Sequence, residues 1–307
     1  MKNKKGFTLV ELMAVIIIIS LIAILTFPNI INQIKKSKQA TTNNINDIVI
    51  SAAKRYVADN PDKYNKDAFL IPISELIDND YVKEDIVSTK DNDVSKKYVV
   101  YIDNKYSFSE MGYVQVEYLQ STRTQVLDLN YYPKKNTKVE LEVKFSGTFS
   151  TINTSIFGTT NGETSQFSLN FGENINSYNS LFSWPDKPYG KGGLVNLLNI
   201  TNEIRMNKNI MVMGKNLFKY GSLSRSINTK TSDCDTSFAL FGIKKADGLL
   251  YPFGGFDMTV YSLKIYEDED LVRYFIPVLD KNGVASLYDK VEGKFYYNQG
   301  TGEFLWG

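Results

Sequence analysis

The chain has 307 residues, room for one or two domains with a sizeable core behind its N-terminus. Its 35 Lys plus Arg against 34 Asp plus Glu leave a formal charge of +1, so the overall field offers no argument for nucleic acid or an acidic polymer. With no His and a single Cys, the composition excludes Ser-His-Asp and Cys-His nucleophiles, His-ligated zinc, Cys/His zinc-finger spacings and any intramolecular disulfide, which leaves binding or assembly as the expected work.

The first element is a 21-residue run, 7–27, whose only charge is Glu11. At about 1.5 Å per residue it would be roughly 30 Å long, the thickness of a bilayer core. A secretory signal peptide would have a shorter apolar stretch and a small-x-small cleavage site, so a single-pass membrane anchor is expected instead. Glu11 is costly in such a run and survives there with a partner, with a function, or by reaching toward the headgroups. Lys2, Lys4 and Lys5 precede the run and Lys35, Lys36 and Lys38 come after it, so the distribution of positive charge does not set the orientation.

Beyond Pro28, Ile34, Ile45, Ile48, Val49, Ala52, Tyr56 and Val57 recur mostly at three- and four-residue steps, which predicts an amphipathic continuation of the helix to about Val57. Pro28 inside that span predicts a kink, or else the end of a membrane helix. Asp59-Asn60-Pro61-Asp62 ends the helical pattern. A short amphipathic segment is expected over Ile73–Val82, and a hairpin over 97–108 turning at Asp103-Asn104.

The N-terminal residues Lys4-Lys5-Gly6-Phe7-Thr8-Leu9-Val10-Glu11-Leu12 resemble the class III signal of type IV prepilins and pseudopilins. The resemblance implies cleavage between Gly6 and Phe7 by a prepilin peptidase, N-methylation of Phe7, and assembly with other pilin subunits. In a filament the Glu11 carboxylate would meet the Phe7 ammonium of a neighbouring subunit, so that two groups costly alone neutralise each other and set the axial register. Many type IV pilins carry a proline at the place of Pro28. Pseudopilins often end a short helix in a Gly-Tyr-like pair, where this chain has Asp80-Tyr81. Cleavage would remove three lysines and take the side-chain charge from +1 to −2.

The charge divides by region. Residues 1–58 carry 8 basic and 2 acidic side chains, 59–112 carry 7 and 12, and 113–307 carry 20 and 20, giving +6, −5 and 0. The acidic middle piece is either a solubilising surface or a complement to the basic helix of a neighbouring subunit.

From Tyr113 the pattern changes to short β-type runs with frequent Gly, Asn, Ser and Pro. Over Lys138–Phe145, Val139, Leu141, Val143 and Phe145 alternate with Lys138, Glu140, Glu142 and Lys144, a strand with one core face and one charged face. Further strands are expected at Gln166–Phe171, Phe238–Phe241, Met258–Tyr266 and Leu271–Val278. Tyr118-Leu119-Gln120-Ser121-Thr122 with Thr124-Gln125, Tyr132-Pro133, Asn136-Thr137 and Val139-Glu140 at one end resemble concanavalin A-like, LamG-type jelly-roll modules of Gram-positive surface and phage proteins. At the other end Val260–Tyr266, Leu271-Val272-Arg273, Phe275–Val278 and the stretch from Gly283 to Phe304 do the same.

The resulting fold class is α+β. A prepilin leader (1–6) precedes a transmembrane and amphipathic pilin helix (7–58, with 7–27 in the membrane), a small pilin-like headpiece (59–112) and an antiparallel β-sandwich (113–307).

The jelly roll invites two chemical readings. Some jelly-roll glycosidases use Glu-x-Asp-x-x-Glu, but Glu140-Leu141-Glu142 lacks the third carboxylate, with Phe145 in its place, so no enzyme is expected. Glu267-Asp268-Glu269-Asp270 suits a hairpin turn, with calcium there or between Asp233 and Asp235 as the sharper alternative and no other cofactor expected. Cys234 is expected to be packed or inert. The best ligand contact is the loop holding Trp184, Asp186 and Tyr189, whose aromatics either stack on a sugar ring or anchor the loop to the core.

These readings converge on a type IV pilin-like subunit, anchored in the cytoplasmic membrane before assembly and then carried in a surface pilus. It would be a minor or tip pilin acting as an adhesin toward a host or surface glycan or a matrix protein. The alternatives are a pseudopilin of a secretion or competence machine and, less favoured, a pilus-tethered glycoside-active enzyme. Nucleic acid is not favoured, because the neutral domain has no basic stripe.

Overall fold

A computed structural model describes residues 9–64, 66–89, 92–147, 154–161, 166–174, 177–183, 195–199, 206–214, 217–226 and 233–307; at 21–30, 92, 154, 166, 171–174, 177–183, 195–199 and 225 it describes the backbone alone. The chain divides into two compact units, 1–67 with 71–110 and 68–70 with 111–307.

The first unit is dominated by helix α1, Leu9–Asp59, which runs through Pro28 without a break. The reading in which Pro28 ends the helix is therefore replaced by a continuous stem. Ser20, Thr41, Thr42 and Ser51 each donate a hydroxyl to the carbonyl four residues back, so these weak helix formers satisfy their side chains locally. Ile45, Val49, Ala52, Ala53 and Tyr56 are buried, and their three- and four-residue spacing makes one face of the last turns the part that packs. The helix stops where Asn60 precedes Pro61, and the Asn60 amide side chain donates to the Tyr56 carbonyl at 2.8 Å.

A one-turn helix α2 (Pro61–Tyr64) comes next, then strand β1 (Ala68–Pro72), helices α3 (Ile73–Asp78) and α4 (Glu84–Val87), and a minimal hairpin of β2 (Ser88–Thr89) and β3 (Asn92–Asp93). Strands β4 (Tyr98–Ile102) and β5 (Lys105–Ser109) form the expected hairpin, and the sheet order is β1-β4-β5. Its turn residues Asp103 and Asn104 both have left-handed dihedrals, φ 50° and 60°, the arrangement that matches the twist of a two-residue hairpin. Strand β1 has no counterpart among the elements expected from sequence. Its first four residues are all buried, so it lacks the two-residue alternation that marks a half-buried strand.

Glu75 on α3 ties this unit together. Its Oε1 accepts hydrogen bonds from the Tyr56 hydroxyl at 2.7 Å, the Tyr64 hydroxyl at 3.3 Å and the Lys63 ammonium. Burial would raise the Glu75 carboxyl, but the hydrogen bonds from Lys63 and Tyr56 and the Lys63 charge outweigh it and hold the group below its ordinary value. Burial and the bond to Glu75 push Tyr56 up to about 12.

The second unit contains two sheets among the described residues. One has the order β13-β12-β11-β10-β17-β8, built from β8 (Leu127–Asp128), β10 (Thr154–Thr160), β11 (Gln166–Asn174), β12 (Ser177–Ser183), β13 (Val195–Asn199) and β17 (Ala239–Leu240). Strands β18 (Gly242–Lys244) and β19 (Leu250–Pro252) extend it, and β18 makes a parallel bridge to β10 in an otherwise antiparallel sheet. The other sheet runs β16-β15-β14-β9-β20-β21-β22-β23. It comprises β9 (Thr137–Ser146), β14 (Asn209–Met213), β15 (Leu217–Tyr220), β16 (Leu223–Ser226), β20 (Asp257–Glu267), β21 (Asp270–Asp280), β22 (Ala285–Asp289) and β23 (Lys294–Tyr296). Strand β6 (Tyr113–Gln115) pairs with β21, β7 (Leu119–Ser121) with β20, and β24 (Leu305–Trp306) with β7.

Strand β9 alternates as its sequence requires: Val139, Leu141, Val143 and Phe145 are fully buried, and Lys138, Glu140, Glu142 and Lys144 half-buried on the opposite face. Phe145 packs on Phe253, Phe256 and Tyr220 at centroid distances of 5.9, 6.4 and 6.5 Å, and Phe157 of the first sheet stacks on Phe238 at 5.3 Å. Each fully buried aromatic stabilises by about 1.5–3 kcal/mol, so this core can hold the unit without a disulfide. The expected strand Phe238–Phe241 shrinks to Ala239–Leu240, because Phe241 turns to φ 61° and interrupts the extended backbone.

Gln125, buried in the loop between β7 and β8, joins the two ends of this unit. Its Oε1 accepts from the Ser121 hydroxyl at 2.9 Å and the Thr122 amide at 2.8 Å, and its Nε2 donates to the Glu303 carbonyl at 2.8 Å. Alongside, the Thr301 amide donates to the Thr124 carbonyl and the Thr124 hydroxyl to the Thr301 carbonyl. A Cβ added to Gly300 would stand 2.1 Å from the Thr124 oxygen, so only glycine permits this approach.

Glu75→Ala should lower the stability of the first unit by about 1.5–3 kcal/mol, the worth of hydrogen bonds to a charged group. Because the folded carboxyl is depressed, its contribution is complete above its ordinary value and is lost as the pH falls through the lowered one; Glu75→Gln should flatten that acid limb in urea titrations of the full chain in detergent. Gln125→Ala, which strands the Thr122 amide and the Glu303 carbonyl, should cost about 2–4 kcal/mol in the unfolding of the second unit, read by its tyrosine fluorescence.

Candidate functional site

The N-terminal turns of α1 carry the first candidate site. Leu9, Val10, Leu12, Met13 and Val15 to Ile19 are between 45 and 75% exposed and lie on every side of the helix. A helix apolar all round requires cover, either lipid or other helices. Glu11 is exposed within this stretch, and Lys35, Lys36 and Lys38 are exposed further along. Gly6 and Phe7 lie outside the described residues; Pro28 lies within α1, and its side chain is not described. Among the described residues no helix is long and apolar enough to cross a membrane. The expected span, 7–27, falls partly on residues 7 and 8 and on the side chains of 21–27, which are not described.

At the other end of the stem, Arg55, Ala58, Asp59, Asn79, Asp80 and Tyr81 line an open groove of about 460 Å³. The Arg55 guanidinium donates to the Tyr81 carbonyl at 3.3 Å and the Tyr81 hydroxyl to Asp59 at 2.7 Å. Asp80 sits at φ 62°, the left-handed conformation that a glycine adopts freely. The groove has no signal in the sequence beyond that turn, because its walls come from α1 and from the residues after α3.

In the second unit, Trp184, Asp186 and Tyr189 lie outside the described residues. Glu140 and Glu142 stand on the charged face of β9. Glu140 accepts from the Tyr266 hydroxyl at 3.2 Å and lies 3.6 Å from the Lys138 ammonium. Glu142 accepts from Ser262 at 3.4 Å and lies 3.5 Å from Lys208. Glu267 and Asp270 face each other across the β20–β21 turn, with Asp268 at φ 54° forming its tip, as a hairpin requires. Asp233 accepts the Lys135 amide at 2.9 Å and Asp235 the Asn161 side chain at 3.1 Å, so each secures a loop. Among the described residues no group of three or more His, Cys, Asp or Glu could hold a metal ion. Cys234 is buried, its amide donating to the Pro133 carbonyl at 2.7 Å.

A charged cluster that the sequence did not single out lies between β21 and β23. Arg273 approaches Asp289 at 3.4 Å and makes an ion pair with Glu292, which also accepts the Tyr296 hydroxyl at 2.8 Å. Burial would raise the Glu292 carboxyl; the Tyr296 hydrogen bond and the Arg273 charge bring it below its ordinary value. Asp289 is fully buried and accepts the Tyr274 and Val291 amides through Oδ1, so the cluster fixes the β22–β23 turn.

Residues 1–27 match the prokaryotic N-terminal methylation motif. No curated protein matches the chain. The N-terminus is thus that of a type IV pilin- or pseudopilin-type precursor. The motif implies processing by a prepilin peptidase and assembly with other pilin-type subunits in a membrane machine. Behind the motif-bearing stem the bulk of the chain is β-rich, a body of mainly antiparallel sheets.

Proposed function

We propose that this chain is a type IV pilin-like structural subunit, a minor or tip pilin that displays its second unit outside the cell as an adhesin. The observation that carries the reading is a methylation motif on a helix whose first turns are apolar on every side, joined to a separate unit that is mostly sheet. In this reading 7–27 spans the cytoplasmic membrane until prepilin peptidase cuts between Gly6 and Phe7 and Phe7 is N-methylated. The helix then leaves the bilayer for the filament, where Glu11 pairs with the Phe7 ammonium of the next subunit. Methylation leaves that charge in place. Pro28 lets the stem adjust to its neighbours, and the basic stretch around Lys35, Lys36 and Lys38 meets the acidic 59–112 of another copy.

The second unit is a concanavalin A-like, LamG-type jelly roll in this reading. Support comes from its two sheets with buried faces and from the Gln125 junction between the two ends where the resemblance is strongest. A domain of about 195 residues is bulky for every position of a packed shaft, which favours a minor or tip place. The unit binds rather than catalyses, and its ligand is a glycan or matrix protein met through Trp184, Asp186 and Tyr189. The lack of a cysteine pair suits a Gram-positive style of pilin. A pseudopilin of a secretion or competence machine is the second reading, favoured by the same motif, which both classes share.

Sheared surface filaments should contain the chain beginning at N-methylated Phe7. Replacing Gly6 with Trp, or Glu11→Ala, should abolish its incorporation while leaving the second unit folded; normal incorporation of both variants would sink the assembly reading. The full chain in detergent should bind a glycan or matrix protein on an array, and Trp184→Ala should weaken that binding about tenfold or more with an unchanged melting temperature.

A further inference from the structure

The neutral charge of the second unit conceals a local imbalance on the open face of its larger sheet. One cross-strand row there reads Glu140, Lys264, Tyr274, Lys290. Glu140 is in register with Lys264 and Lys264 with Tyr274, while the Lys290 amide donates to the Tyr274 carbonyl at 2.8 Å. Strand pleating puts these side chains on one face.

The two lysines turn to the tyrosine between them: the Lys264 ammonium lies 5.1 Å and the Lys290 ammonium 5.4 Å from its ring centroid. Glu140, although directly across from Lys264, is occupied by Lys138 and the Tyr266 hydroxyl. On this face Lys138 pairs with Glu140 and Glu269, and Lys208 with Glu142 and Glu117. Among the described residues neither Lys264 nor Lys290 has a carboxylate within ion-pair distance.

Tyr274 is itself fixed, packed against the outer cluster of Tyr113, Ile276 and Val278, so the gathering point of the two charges is rigid. Two like charges drawn to one ring without a counter-charge repel each other, and an anion between them relieves that cost. Exposure of Lys290 and partial exposure of Lys264 and Tyr274 leave the row open to solvent.

We propose that Lys264, Tyr274 and Lys290 form a seat for the acidic groups, carboxylate or phosphate, of an anionic surface polymer. The proposal rests on reading the second unit as a binding domain and names the ligand class that the domain would take. Lysine serves here as a point charge and does not choose between the two anions by geometry.

The test uses the full chain in detergent micelles, with polygalacturonate, a poly(glycerol phosphate) and neutral dextran of matched length as probes. Wild type should bind one or both acidic polymers and not dextran, with binding that weakens as salt is raised. The Lys264→Gln/Lys290→Gln variant should bind about tenfold or more weakly, while Lys245→Gln, an exposed lysine in the β18–β19 turn of the other sheet, should not change binding. Whichever acidic probe binds identifies the anion. Equal binding by wild type and the double variant overturns the seat, as does failure of both acidic polymers to bind. If neither acidic polymer binds while wild type and double variant alike hold a neutral glycan or a matrix protein, the adhesin reading stands and the seat falls; if wild type holds nothing on any array, both fall.

Discussion

Apolar side chains surround the first turns of α1, and this chain leaves them exposed. A helix of that kind has no stable place in water. It needs a bilayer or a bundle of similar helices, and the methylation motif on the same residues belongs to precursors that use both in turn. Among the described side chains, the packed face of α1 lies in its last turns. From Ile45 onward the helix buries one face in the first unit, and the described apolar side chains of its first turns are exposed. Along α1 the exposed apolar first turns and the packed last turns are separated by a polar stretch that holds Lys35, Lys36 and Lys38.

The two units are held by different means. In the first, Tyr56, Lys63 and Tyr64 converge on a single carboxylate oxygen of Glu75, which couples the end of the stem to a short helix. The second relies on alternating burial along β9 and on a set of phenylalanines whose rings meet at tilted and stacked angles. Neither device depends on redox state, as a chain with one cysteine requires.

Much of this was legible beforehand where the pattern had a single physical meaning. The strict alternation of β9, the Asp103-Asn104 turn, the stop at Asn60-Pro61 and the hairpin at Glu267–Asp270 each come from side-chain period or turn chemistry. Elements lacking such a signature were not legible. Strand β1 is buried along most of its length and so shows no period, and Phe241 gives no sign that it will take a left-handed conformation. Sites assembled from distant segments were harder still. The Arg273 cluster and the row of Lys264, Tyr274 and Lys290 arise only from strand register, which a linear sequence does not display. The N-terminal motif lay at the opposite extreme, because its residues act through their order and not through their folding.

The junction at Gln125 bears on the timing of folding. Its side chain spans 178 positions to reach the Glu303 carbonyl, and the neighbouring Thr124 hydroxyl spans 177 to Thr301. Closing so long a loop costs chain entropy before any contact rewards it, and proteins rich in such pairings fold slowly. The opening strands of the second unit therefore have no complete set of partners until the last residues emerge. A chain caught midway would present β7 as an unpaired edge, a template for mispairing with its own kind, so correct folding of this unit calls for dilution or chaperoning during that interval.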